Sequence, residues 1–571
     1  MWQAFCIPDS REEKIFADLL FQTGISISDP EYFKFSQSFL FTEQYIYLKK
    51  RRFFLYSTIL SGTVLGMESC LVQVEVDLSA GLPCFIMVGH LSGEVRESAE
   101  RVRIALKNNG IHLPAMHIAV NLSPADVRKE GTGFDLPVAL AVLTAMERLT
   151  EKETEGVMIL GELGLNGEIR KVRGILPMVG EGLRAGITRF LVPLENLQEA
   201  RLIGKGRIAG IGSLTEAVEY LKMSEAEQKE WENKSIRELM TEKQDDLPQG
   251  KETEMDFSEV SGQESGKRAA MIAAAGFHHL LFCGPPGCGK TMLARRIPTI
   301  LPPLSEEERL EVASVYSIAG LLDGTRASSR RRPFVSPHHS LTPQALAGGG
   351  VRPSPGVVSL AHRGVLFLDE LPEFSRKTLD LLRQPLEDRK IQITRTRGNV
   401  TYPTEFMLVG AMNPCPCGYF PDRNRCRCTP YEIHQYISHL SGPILNRIDL
   451  QVRLKETEFS VLRDPENRKR GESSEGMRNM VMEARSRQDF RYRDTGIRFN
   501  AQLTAGNIRS FCKLGRKEEQ VLEQIYTSMK LGARACHKLL KVARTIADLA
   551  GSEIVRKEDL LEAACYCQGQ E

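Results

Sequence analysis

The sequence predicts an α/β chain of several domains, and three observations carry that prediction. An apolar run, Leu280-Leu281-Phe282-Cys283, leads into the octapeptide Gly284-Pro285-Pro286-Gly287-Cys288-Gly289-Lys290-Thr291 and then into the helix-forming Met292-Leu293-Ala294-Arg295-Arg296. Two further apolar runs, Gly364 to Glu370 and Phe406 to Asn413, end in acids or an amide, as buried parallel strands do where they meet a ligand. Upstream, Val72-Gln73-Val74-Glu75-Val76 alternates like a half-buried strand, and Val95 to Lys107 has helical spacing with Gly110 as its stop.

At 571 residues the chain is too long for one core. A hydrophobic content of 42% and a charged content of 26% are ordinary for a soluble protein. The net charge of +2 selects neither for nor against nucleic acid. No apolar run approaches the ~18 residues of a membrane span. The nearest, Phe53 to Leu65, is broken by Ser57, Thr58, Ser61 and Gly62. Asp9, Glu12 and Glu13 argue against a secretory signal. The expected compartment is the cytoplasm, with no membrane partner, where the 13 cysteines are reduced, buried or metal-bound.

The expected division is fivefold. Residues 1–53 are an extension, aromatic-rich and ending in Lys49-Lys50-Arg51-Arg52, with no assigned role. Residues 54–223 form a glycine-punctuated α/β region whose His117 to Leu122 reads as a strand and Leu136 to Met146 as an apolar helix. Residues 224–255 are a charged helix and linker, 256–455 the phosphate-loop domain, and 456–571 a helical segment.

Strand, glycine-rich loop and helix in that order are the context a P-loop requires. Small residues let the backbone N–H groups wrap a phosphate at a helix N-terminus. Lys290 is then assigned to the β- and γ-phosphates of ATP and Thr291 to Mg²⁺. Asp369, closing Val365-Leu366-Phe367-Leu368, is the second Mg²⁺ residue, and Glu370 orients or deprotonates the attacking water. Asn413 ends the third strand, where a neutral amide contacts water and γ-phosphate without adding charge. Arg447 and Arg534 are each ordinary surface arginines taken singly. In this order and spacing they read as cations for the transition state.

Together these motifs resemble an AAA+ ATPase. Arg332-Pro333-Phe334-Val335-Ser336-Pro337-His338-His339-Ser340 and Gly442-Pro443-Ile444-Leu445-Asn446-Arg447-Ile448-Asp449 resemble the magnesium-chelatase-like branch, specifically the ComM/YifB family, over residues 55–567. The resemblance implies a central parallel sheet flanked by helices, a C-terminal helical lid and assembly as a homo-hexamer. It also implies that Asn413 is sensor 1, Arg447 the arginine finger and Arg534 sensor 2. Asp256 to Gln263, including Val260, matches the segment that packs on adenine. His338 and His339 are read as structural.

Leu386 to Tyr402 reads as a hairpin in which Ile391 and Ile393 face inward, Gly398-Asn399 supplies the turn, and Arg395 and Arg397 crowd the tip with Lys390 at the base. The residues alone suit a solvated charged hairpin and a phosphate-contacting one equally, and the resemblance favours DNA. Cys415, Cys417, Cys426 and Cys428 form C-x-C-x8-C-x-C. Four reduced thiols and a tetrahedral Zn²⁺ site are the alternatives; C-x-C is tighter than the commoner C-x₂-C, but four thiols in fourteen residues favour zinc.

Gly161 to Arg170, followed by Gly174-Ile175-Leu176-Pro177 and Arg184-Ala185-Gly186-Ile187, resembles the proteolytic domain of Lon, an α+β fold like ribosomal protein S5 domain 2. By that likeness Gly133 stands at the serine position and Leu176 at the lysine position. A Ser–Lys dyad needs a hydroxyl and an amine. Neither is there, and Thr132 with Lys129 is a poor substitute. The expected function is an ATP-driven ring motor on single-stranded or branched DNA, in branch migration or strand translocation during recombination and transformation. The alternatives are a chelatase-type protein remodeller and, with the dyad gone, an ATP-dependent protease.

Overall fold

The computed structural model describes residues 56–246, 255–324, 326, 329–350, 353–395, 398–440, 442–457 and 472–567. The expected extension, 1–53, lies outside the described residues, as do 247–254 of the charged linker.

Strand β1 (Tyr56–Leu65) turns at Gly66 into β2 (Glu68–Ser79), followed by β3 (Cys84–Val88), α1 (Gly93–Asn108), β4 (His117–Ser123), α2 (Asp135–Ala145), β5 (Val157–Ile159), α3 (Ile175–Arg184), β6 (Arg189–Pro193) and β7 (Arg207–Ile211). They build a seven-stranded sheet in the order β3-β4-β2-β1-β5-β6-β7. β2 pairs antiparallel with β4, whereas β5, β6 and β7 run parallel. The pleat explains the alternation in β2: Val72, Val74 and Val76 are buried and Gln73 is exposed. Every residue of α2 is buried, so its sequence is apolar all round rather than amphipathic. Its one charge, Asp135, receives a bidentate pair from Arg101 at 2.7 and 2.9 Å.

The charged stretch begins as α4 (Glu225–Asp246). Beyond it come α5 (Glu264–Gly276), β8 (Leu280–Cys283), α6 (Lys290–Ile300), α7 (Glu306–Ala319), β9 (Phe334–Val335), β10 (Val365–Leu368), β11 (Lys390–Arg395), β12 (Gly398–Pro403), β13 (Met407–Met412) and β14 (Leu450–Arg453). A central sheet of order β9-β10-β13-β8-β14 has every neighbouring pair parallel. Successive strand residues serve opposite faces. Phe282, Phe367 and Val409 join a core shared with α5 and with the C-terminal helices α8 (Ser474–Tyr492), α9 (Ala533–Leu549) and α10 (Lys557–Tyr566). Leu281, Leu366 and Leu408 join a second core with Ile444 and the hairpin residues Ile391, Ile393, Val400 and Tyr402.

The hairpin differs from expectation at its start and at its turn: Leu386 to Asp388 end a short helix (Arg383–Asp388), and the first strand begins at Lys390. Gly398 and Asn399 are strand residues, opposite Arg395 and Thr394, so they do not form the turn. Burial decides this: Ile391 faces Tyr402 and Ile393 faces Val400, all four buried, and a one-residue slip would turn each pair outward. That register outweighs the local turn preference of Gly-Asn.

Helix α7 joins the two sheets. The Ser317 hydroxyl donates to Glu199, the Gly174 N–H to Ser317 O at 3.1 Å, and Lys171 Nζ to Leu322 O at 3.1 Å. Leu176 closes the junction against Ala313 and Leu322. Among the described residues no helix is long and apolar enough to cross a membrane.

Candidate nucleotide site and cysteine knuckle

Parallel strands deliver their C-terminal ends to one edge, and the glycine-rich loop lies there between β8 and α6. Gly287 (φ 78°) and Gly289 (φ 91°) take left-handed backbone, and a Cβ on either would meet open space. Gly284 is tight, with a Cβ falling 2.8 Å from Leu454 O. Pro286 is exposed and Cys288 buried.

Four expected residues are brought together. Lys290 Nζ donates to Gly284 O (2.7 Å), Pro285 O (2.9 Å) and Asn413 Oδ1 (3.0 Å). The Thr291 hydroxyl donates to Asp369 Oδ2 at 2.8 Å. A hydroxyl beside a carboxylate is an oxygen pair suited to Mg²⁺. An ammonium held at a glycine-rich loop before a helix suits a polyphosphate. The residues therefore fit ATP and Mg²⁺. Val260 is buried beside the loop in the segment that Gln263 ties to it, Nε2 donating to Cys288 O at 3.1 Å.

Glu370 has φ 51° and is exposed, its N–H donating to Asp369 Oδ1 at 3.0 Å. Its carboxylate lies 3.5 Å from His339 Nδ1. His339, read from sequence as structural, therefore belongs to this edge. The available signal was its position just beyond Val335, on the strand paired with the one ending at Asp369.

Arg447 and Arg534 are brought together, but not with Lys290. Both line a cavity of about 320 Å³ with Arg389, Lys538 and Lys541. His279, Phe406 and Asp449, which precede β8, β13 and β14, also line it. The cavity thus opens at the opposite edge of the sheet, with at least about 13 Å of strand between it and the P-loop. Arg447 donates to Glu387 and to Pro443 O (2.6 Å), while its buried Nε has no partner among the described residues. Arg534 is exposed in the first turn of α9. Burial lowers the Lys538 and Lys541 ammonium pKa values.

Lys390 is exposed, Arg395 ends β11, and Arg397 lies outside the described residues. The four expected cysteines converge, their sulfurs all within 4.8 Å of one another. Cys415 Sγ is 3.3 Å from Cys417 Sγ and 3.7 Å from Cys426 Sγ, and Cys417 and Cys426 are 3.6 Å apart. A tetrahedral zinc with bonds of about 2.3 Å needs sulfurs about 3.8 Å apart, so the donor set fits zinc. The Tyr419 N–H, ahead of the neighbouring thiols, lowers Cys417 to about 6.

In the Lon-like region, Leu176 is buried in α3 at the junction with α7. Thr132 donates to Glu162, a carboxylate rather than an amine. Lys129 is fully buried with Nζ donating to Pro124 O, and burial lowers its pKa.

Fold and site together define an AAA+ ATPase of magnesium-chelatase type with a Lon-like N-terminal domain. Residues 256–462 match the family model for magnesium chelatase, subunit ChlI. Residues 74–196 match that for subunit ChlI of Mg-chelatase, and 471–567 that for the ChlI C-terminal region. The uncharacterized protein YifB of Escherichia coli is 41% identical over 511 residues, covering 89% of this chain and 96% of its own. The competence protein ComM of Haemophilus influenzae is 39% identical over 508 residues, with 89% and 96% covered. Lon protease 2 of Bacillus subtilis is 30% identical over 200 residues, 30% of this chain and 35% of its own. The chain belongs to the magnesium-chelatase-like ComM/YifB family.

Proposed function

We propose that this ATPase is a ring-forming motor, a homo-hexamer, that moves single-stranded or branched DNA in branch migration or strand translocation. The observation that carries the ring is the separation of Arg447 and Arg534 from Lys290 by the length of the sheet. A site for hydrolysis then needs two chains. One supplies Lys290, Thr291, Asp369, Glu370 and Asn413, and its neighbour supplies the arginines to the developing charge. Bound Mg²⁺ would neutralise the β- and γ-phosphates from Thr291 and Asp369. Glu370 would take a proton from the attacking water, and Asn413 would hold that water.

Support for a DNA substrate comes from the β11–β12 hairpin, which leaves the chain between the Asp369 and Asn413 strands with Lys390 at its base and Arg395 at the far end of β11. Two arginines per chain round a ring would grip a phosphate backbone without reading bases. The Haemophilus relative's name, a competence protein, is in keeping with such a substrate. The Lon-like domain acts as a collar without peptidase activity, since Leu176 and Gly133 replace a lysine and a serine. The cysteine knuckle, residues 415–428, holds one Zn²⁺. A chelatase-type remodeller has the family-model descriptions in its favour. A mobile four-way junction separates the two readings. ATP-dependent conversion of the junction to duplex arms, lost in Glu370→Gln, is the expected result. No conversion at any enzyme concentration would leave the remodeller.

A further inference from the structure

The cysteine knuckle adjoins the nucleotide pocket at two points. Cys415 follows Asn413 by two residues, and Asn413 Oδ1 is the side-chain oxygen that holds Lys290. Gly418, with φ 88°, lies flat against the P-loop: a Cβ there would fall 2.5 Å from Pro286 Cδ and 2.7 Å from Pro286 Cγ. One short loop therefore contacts both the glycine-rich turn and the strand end that faces it.

That loop has little of its own to hold it. Its apolar cluster is small: buried Cys415, Cys426 and Ile433, flanked by the half-buried Tyr419 and Phe420. Residues 421–425 are all exposed. A segment with so small a core needs a covalent or metal staple to keep one shape. The surroundings also suit the negative charge of four thiolates round one Zn²⁺. The Phe420 N–H donates to Cys415 Sγ at 3.4 Å. Arg423 lies over the Phe420 ring at 5.0 Å, which brings a cation to the knuckle, while Arg425, over the Tyr419 ring at 3.9 Å, is paired with Glu456.

We propose that zinc in this knuckle braces the ATP pocket, so that metal loading sets how well the P-loop and Asn413 are held for hydrolysis. The proposal rests on the zinc assignment made above and extends it to regulation of the nucleotide site. Zinc fixes Cys415 and Cys417; Cys415 in turn fixes Asn413, and Gly418 fixes Pro286. Loss of the metal frees both walls of the pocket at once. A shift of about 1 Å in a positioning group lowers turnover by about 100-fold.

The experiment uses the full chain. Zinc per chain is measured by mass spectrometry. ATP affinity and turnover are then followed, at saturating Mg²⁺, before stripping with a zinc-selective chelator, after it, and after adding zinc back. Gly418→Ala and Cys428→Ser are run beside a distant control, Cys565→Ser. The expected result is one zinc per chain in the wild type, a fall of about 100-fold in turnover on stripping, and recovery with added zinc. Gly418→Ala should keep its zinc and still lose turnover, because its Cβ displaces Pro286. A wild type with no zinc overturns the assignment itself. One zinc per chain with unchanged turnover after stripping overturns the brace and leaves the assignment standing. Should stripping unfold the chain, Gly418→Ala decides, and wild-type kinetics there overturns the brace.

Discussion

Arg447→Ala should damage a neighbour's site rather than its own. Its guanidinium lines the cavity at the N-terminal edge of the central sheet, whereas Lys290 lies at the other edge. About 13 Å of strand intervenes, more than the side chain can span with the Glu387 pair holding it back. A cation of this kind contributes roughly 10³–10⁵ to turnover. Arg447→Ala should therefore lower kcat at least about 10³-fold with ATP binding nearly unchanged, because its own pocket is intact. Lys290→Ala should fail for the opposite reason, lacking a hold on the phosphates. Mixed in equal amounts and reassembled, the two variants form a complete interface wherever an Arg447→Ala chain supplies the loop and a Lys290→Ala chain the arginine. Random mixing completes about one interface in four, so with independent interfaces the mixture recovers about a quarter of the wild-type rate per chain. Phosphate release across mixing ratios should peak at equal amounts. A flat line at the sum of the parents refutes the two-chain site.

Three further outcomes are expected. His339→Ala should lower kcat about tenfold with little change in ATP affinity, because Glu370 loses its orienting partner; unchanged kcat would return His339 to a structural role. His279 accepts the Leu408 N–H at Nδ1 (3.1 Å), so the folded ring is neutral there, and burial lowers its pKa to about 4. The unfolded ring titrates near ~6.5, so this stability is complete above that pH, falls as the pH drops, and levels off below the folded value, a loss of at most about 3 kcal/mol. Urea midpoints from pH 7.5 to 4.5 should show that fall, and His279→Gln should flatten it. Leu176→Ala should cost about 2–5 kcal/mol by opening a cavity against Ala313 and Leu322. Thermal melts check that cost.

Features carried by neighbouring residues were legible in the sequence. Leu280–Cys283 is a strand with the bounds its apolar run indicated, and the glycines after it and the helix after them need only local chemistry. The α2 helix and the alternation in β2 were legible for the same reason. What depended on distant partners was not. Gly398-Asn399 looks like a turn until Ile391 and Ile393 find Tyr402 and Val400 and set the register. His339 looks like half of a loop pair until the sheet brings it to Glu370. Nothing in the spacing of Arg447 and Arg534 says that one cavity at the far edge of the sheet receives both. Leu176 reads as a missing lysine in sequence. The structure gives it work, as the apolar plug between the Lon-like sheet and the ATPase helix α7.

A motor that works on DNA through its hairpin shows itself in ATPase rates with and without single-stranded and branched DNA, compared between the wild type and Arg395→Ala/Arg397→Ala. DNA should raise the wild-type rate, and the double variant should keep its basal rate while losing most of the rise. No stimulation of the wild type, or equal stimulation of both proteins, would mean that the hairpin does not couple ATP hydrolysis to DNA.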